Sequence, residues 1–201
     1  MVDALKMWLV LVKSAGSRKD EPAQMNELPG NQSEAASRSR APVSWTWLLL
    51  SALVIWGDML TKQWASDTLT LYRPYELNSW LSMTLAHNYG AAFSFLSDAG
   101  GWQRWLFTTL SATVSAVLII WVLRLPRNEW RTGLALSLVI GGALGNLADR
   151  VQLGYVIDFI DVHYRNWHWP AFNLADSAIS CGVALLLLDA FRQALPKGRN
   201  S

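Results

Sequence analysis

From Trp105 to Leu123 the chain reads WLFTTLSATVSAVLIIWVL and holds no charged residue. The hydrocarbon core of a bilayer is about 30 Å thick, and about 20 mostly apolar helical residues cross it. No water is present there to pair with a bare backbone, so a single apolar segment can span only as a helix. This run therefore predicts an α-helical integral membrane protein.

Three further stretches fit the same length. WTWLLLSALVIWGDML opens a span at about 45–64, TGLALSLVIGGALGNLADR one at 132–150, and the segment after FNLADS one at about 172–191; the uncharged run itself is 105–123. The third span along the chain, 132–150, is rich in Gly and Ala, which allow close helix approach. Composition agrees: only 16% of residues are charged, against about 25% in soluble domains. Trp45, Trp47, Trp64, Trp105, Trp121 and Trp130 fall near span ends, as in an interfacial belt. Residues 1–44 differ from the remainder. MWLVLV is too short for a secretory signal core, and the polar stretch after it reads as disordered, with Met25 an alternative start. Residues 45–195 form the predicted membrane domain and 196–201 a tail.

Arg124, Arg127 and Arg131 lie between the second and third spans, Arg192, Lys197 and Arg199 follow the fourth, and Arg38 and Arg40 precede the first. Positive loops favour the cytoplasm, so both termini are expected there, with residues 65–104 and 151–171 outside. Within 65–104, WLSMTLAHNYGAAFSFLS partly alternates, compatible with a small sheet on the membrane surface.

Several classes of chemistry are disfavoured. The net charge of +2 and the lack of a basic run argue against nucleic acid. The single cysteine, Cys181, excludes an internal disulfide framework and reads as a small packed side chain. His163 and His168 sit five apart in a Trp-rich loop, far from His87, and match no zinc spacing. No nucleophile elbow or phosphate loop is present, and Ser177 lacks an evident base. No metal or cofactor is expected.

Carboxylates and amides remain. With this topology Asp58 and Lys62 fall near the outer end of the first span. Asn146, Asp149 and Arg150 fall on one face at the outer end of the third, and Asn173 and Asp176 at the outer start of the fourth. Asp158 lies between the last two spans. Each has a bland reading. Asp58 and Lys62 suit an i, i+4 ion pair, Asp149 beside Arg150 a helix end, and Asp176 a first-turn acid favoured by the helix dipole. Yet ionisable groups within spans are rare and usually functional, and here they gather at one level. Two aspartates sharing a proton can activate water against a peptide carbonyl, with amides orienting the substrate. Spacing leaves open which two meet. A transporter or proton relay stands as the alternative.

Four blocks narrow the choice: DMLTK at 58–62, HNYGAAFSFLS at 87–97, GGALGNLADRVQLGYVIDFIDV at 141–162 and FNLADSAIS at 172–180. In this order they resemble the lipoprotein signal peptidase family, signal peptidase II. The resemblance implies an intramembrane aspartyl endopeptidase of four helices and an external β-cradle. Such enzymes cut prolipoproteins just before a diacylglyceryl-modified cysteine. It implies a catalytic pair at Asp158 and Asp176, supported by Asp58, Lys62, Asn88, Asn146, Asp149, Arg150, Asn173 and Ala175. Gly90, Ala91, Ala92 and Phe93 would cover the site. The expected setting is the bacterial inner membrane, as a monomer with its site near the outer face. The long N-terminal extension departs from the family pattern.

Overall fold

In the computed structural model, residues 45–90, 101–126 and 128–194 are described. The expectations for residues 1–44, for Ala91, Ala92 and Phe93, and for the tail lie outside them. Four long helices carry the chain: α1 (Thr46–Thr68), α2 (Trp102–Leu123), α3 (Trp130–Gln152) and α4 (Leu174–Ala194). Each reaches beyond the stretch the apolar pattern marks. Three of them, α2, α3 and α4, are long and apolar enough to cross a membrane. In α1 the same length is broken by Asp58, Lys62, Gln63 and Asp67.

The bundle is built around α3, which packs on α1, α2 and α4. Its glycines explain how. A methyl group on Gly145 would stand 2.7 Å from Asp58 Oδ2, and one on Gly142 would collide with the Ala175 carbonyl oxygen. The Asp58 carboxylate of α1 and the backbone of α4 thus approach α3 too closely for larger residues. Small polar groups are turned inward: the Ser51 hydroxyl donates to the Ser137 carbonyl at 2.9 Å, and Ser115 is buried. Large apolar residues such as Leu53, Trp56, Val117, Leu187 and Phe191 point outward. Interior and exterior are arranged for an apolar solvent.

Between α1 and α2 run β1 (Tyr75–Asn78) and β2 (Leu81–Asn88); between α3 and α4 run β3 (Val156–Tyr164) and β4 (Trp167–His168). They form one antiparallel sheet in the order β1-β2-β3-β4. The sheet therefore lies at the bundle end where α1 and α3 finish and α2 and α4 begin. Its apolar face is seated by Leu85 and Phe159 against Ala65 of α1. The alternating segment before Gly90 supplies β2 as expected. A strand in 151–171 was not anticipated, although VIDFIDV is rich in β-branched residues. The N–H groups of both Phe159 and Ile160 donate to the Phe172 carbonyl, at 3.1 and 2.9 Å. Two residues opposing one is a bulge, and it ties β3 to the entrance of α4.

Cys181 is a correction. It is exposed, because α4 presents that side to a cavity and not to a packed neighbour.

Candidate active site

α4 begins with a reciprocal cap. Asn173 precedes its first residue, and the Asn173 Oδ1 accepts from the Asp176 N–H at 2.9 Å. Asp176 Oδ2 in turn accepts from the Asn173 N–H at 3.3 Å. This is a capping box with aspartate as the third helical residue. The first-turn reading of Asp176 is thus satisfied, but its other oxygen reaches elsewhere. Oδ1 accepts from Asn146 Nδ2 of α3 at 2.8 Å.

Asp158 comes from β3 and is buried. Asn173 Nδ2 donates to its Oδ1 at 2.7 Å, and Asn88 Nδ2 of β2 to its Oδ2 at 3.0 Å. The same Asn173 amide also lies 3.1 Å from Asn146 Oδ1 and 3.2 Å from the Ile157 carbonyl. Asn173 therefore links the two acids, one through its side chain and the other through its backbone. Burial, and secondarily the charge of Asp176, raise the Asp158 carboxyl from 3.8 to about 7. A buried carboxylate near a like charge resists ionisation.

Behind this pair sits Lys62, 2% exposed. Its ammonium contacts Asp58 Oδ2 at 2.6 Å, Asp149 Oδ2 at 2.9 Å and Asn146 Oδ1 at 2.9 Å. An ammonium has three donors, and three oxygens from three side chains surround it. Asp58 Oδ1 accepts from the Ala175 N–H at 2.9 Å, fixing α1 to the first turn of α4. Asp149 Oδ2 also accepts from the Ile157 N–H at 3.1 Å. The i, i+4 pair expected of Asp58 and Lys62 is present, with a further acid added. Asp149 does not pair with its chain neighbour Arg150 among the described residues. Adjacent helical residues point about 100° apart, so Asp149 turns to Lys62. Arg150 donates instead to the carbonyls of Gly90 at 3.0 Å and Asn146 at 3.3 Å, over the Phe107 ring. Gly90 is held in turn by its N–H donating to Asn88 Oδ1 at 3.0 Å.

All eleven expected site residues thus belong to one connected cluster. Two further features stand outside the expected set, one of them built on histidines that the sequence had argued against as ligands. Arg104 donates to the carbonyls of Arg150 and Val151, both at 2.9 Å, closing the end of α3. Its only signal was a cation at the start of a span. The second is the ligand-type group Asp161, His163 and His168, whose ligand atoms lie within 4.8 Å of one another. It could hold a metal ion, outside the Asp158–Asp176 cluster.

Beside the acids a cavity of about 600 Å³ opens, lined by Asn88, Asn146, Arg150 and Asp176 at its polar end. Phe107, Ala143, Val156, Ile179 and Cys181 supply apolar wall, and Trp169 to Phe172 border it. A partly apolar cleft whose polar end carries Asp176, with Asp158 bridged to it through Asn173, suits a ligand that is part polar and part apolar.

The family model described as Signal peptidase (SPase) II matches residues 50–192. A lipoprotein signal peptidase of Teredinibacter turnerae is 55% identical over 144 residues, 72% of this chain and 86% of its own length. One of Acinetobacter baumannii is 49% identical over 174 residues, covering 87% of this chain and 99% of that protein. A solved bacterial membrane enzyme superposes with a TM-score of 0.69 at 29% identity, over 78% of this chain and 93% of its own. Another superposes with a TM-score of 0.63 at 30% identity, over 72% and 92%.

Proposed function

The chain belongs to the signal peptidase II family and is a membrane protease that removes signal peptides from prolipoproteins, and from that premise we propose that Asp158 and Asp176 are its catalytic pair. The observation that supports the pair is Asn173. It donates to Asp158 at 2.7 Å through its side chain and to Asp176 at 3.3 Å through its backbone. Among the described residues no cation lies in ion-pair contact with either acid. A buried carboxylate and a partly buried one so placed share a proton and titrate as a unit.

Water held between them attacks the scissile carbonyl. One carboxylate takes the water's proton while the other gives its own to the departing amine. Asn88 and Asn146 keep one oxygen of each acid fixed, so little reorganisation accompanies the proton movements. In our reading the scissile bond precedes a diacylglyceryl-modified cysteine, whose acyl chains lie along the apolar wall of the cavity. α1 completes a set of four spans, its charges sheltered by α3 and α4. The arginine-rich connection and tail favour the cytoplasmic side of a bacterial inner membrane for both termini. The sheet and the acids then face outward, and the enzyme works as a monomer without cofactor. A transporter is the poorer fit, because the acids gather at one end of the helices and do not step through their length.

The test is incubation of purified protein with a diacylglyceryl-modified prolipoprotein, followed by the appearance of the shortened product. Wild type cleaves; Asp158→Asn and Asp176→Asn, folded in the same detergent, do not. Turnover near wild type in either variant removes that acid from the pair. Binding without cleavage by wild type would favour a non-enzymatic lipoprotein-binding factor.

A further inference from the structure

The other end of β3 carries chemistry that peptide hydrolysis does not use. Asp161 and His163 are two apart on this strand, so their side chains leave the same face. After Tyr164 the chain reverses through Arg165 and Asn166, with Arg165 at φ 54, and His168 becomes the cross-strand partner of His163. Paired residues on one sheet face stand about 5 Å apart. A spacing of two along one strand plus one residue opposite is enough to aim three side chains at one point.

The side chains do converge. One ligand atom from each residue lies within 4.8 Å of the others. His168 Nδ1 is 2.9 Å from Asp161 Oδ1, and the rings of His163 and His168 stack with centroids 5.1 Å apart. Asp161 is 8% exposed, and Thr84 Oγ1 donates to its Oδ2 at 3.3 Å. A hydroxyl behind a carboxylate is the outer support a metal ligand commonly has. His163 Nδ1 is buried with no hydrogen-bond partner among the described residues. An orphaned buried ring nitrogen is costly, so a protein partner does not explain this histidine. A four-coordinate zinc ion keeps its ligand atoms about 3.4 Å apart. The half-exposed His168 side chain is free to close the remaining gap.

We propose that Asp161, His163 and His168 bind a divalent ion of the zinc class, with water completing the shell. Two imidazoles and one carboxylate match its ligand preferences. The ion clasps β4 to β3. Only four residues separate His168 from Asn173, and that stretch, Trp169 to Phe172, borders the cavity. The clasp therefore steadies one wall of the cavity and the chain entering α4, without touching either acid of the proposed pair. This site stands apart from the proteolytic reading, and its test needs no substrate.

Full-length protein, freed of any histidine tag and of metal, is titrated with Co²⁺ while the visible absorption of the bound ion is followed. Wild type should take up one equivalent and release it to Zn²⁺. His163→Ala and His168→Ala should each weaken Co²⁺ binding by about a hundredfold or more, since each removes one of three protein ligands. His168 is half-exposed, so its variant keeps the fold even if His163→Ala does not. Failure of wild type to bind Co²⁺, or equal binding by the His168→Ala protein, overturns the site.

Discussion

Two groups of aspartates lie within one hydrogen-bonded cluster and are treated oppositely. Asp58 and Asp149 each meet the ammonium of Lys62 directly, at 2.6 and 2.9 Å. Among the described residues, the hydrogen bonds to Asp158 and Asp176 come from asparagine amides and a backbone N–H. A direct cation fixes a carboxylate in place and is costly to remove. Neutral donors hold its geometry while leaving its proton negotiable. In the proposed mechanism the same side chain thus becomes scaffold or reagent according to what donates to it. Asn146 joins the two groups, accepting from Lys62 at 2.9 Å and donating to Asp176 at 2.8 Å.

The contrast breaks most sharply in activity. Asp158→Asn and Asp176→Asn should each lower turnover on the order of 10³-fold or more, the scale of acid–base catalysis, with thermal unfolding in detergent unchanged or higher. An Asp158→Asn protein that unfolded many degrees earlier would put Asp158 among the scaffold acids instead. Lys62→Met should do the reverse. Removing one partner of a buried pair costs roughly 3–5 kcal/mol, and here it strands Asp58 and Asp149 together. The measured result should be a large drop in unfolding temperature, or a failure to accumulate folded protein. A stable, inactive Lys62→Met enzyme would mean that Lys62 serves the reaction more than the fold.

A smaller effect is the response to pH. Asp158 keeps its proton up to about 7, mainly through burial, against 3.8 ordinarily. Above that point the pair loses its shared proton, so kcat/KM should fall about tenfold per further pH unit. Linkage has the matching sign. The folded state holds a proton that the unfolded chain releases near 3.8, so this group's contribution to stability declines as pH rises from there to about 7. Asp158→Asn removes that decline, and its unfolding temperature should gain on wild type more at pH 8 than at pH 5. An alkaline limb unaltered in an Asp158→Glu enzyme would assign the ionisation elsewhere.

Much of this was legible in the chain, for reasons that differ by element. The uncharged run 105–123 reads as a helix because lipid permits little else, and α2 contains it. The level at which acids gather follows from counting residues along helices, so Asp58, Asn146 and Asp176 are brought together as expected. What the linear order hides is direction across strands and between helices. Asp149 looks paired with its neighbour Arg150, but helical rotation gives it to Lys62 from another element. His163 and His168 look unrelated at five apart, because helical spacing is the wrong ruler for a hairpin that makes them partners. Asp158 needed the bulge opposite Phe172, which no pattern of apolar residues announces. Cys181 looks packed because its neighbours are apolar, yet that side of α4 borders the cavity.

The finest distinction between the two groups is in the donors themselves. Asn88 Nδ2 donates to Asp158 Oδ2 at 3.0 Å, and a bond to a carboxylate favours its charged form. Removing it leaves the ionised state less supported, so Asp158 should hold its proton to a higher pH. A hydrogen bond to a charged group contributes about 1.5–3 kcal/mol at most, and about 1.4 kcal/mol corresponds to one pH unit. Asn88→Ala should therefore move the alkaline limb of kcat/KM upward by about one unit and lower the plateau modestly. A purely structural role for Asn88, through the Gly90 N–H it also accepts from at 3.0 Å, would lower the plateau and leave the limb in place. Because neutral donors tune Asp158 while Lys62 locks its neighbours, a limb that moved downward would contradict the division between the two sets of acids.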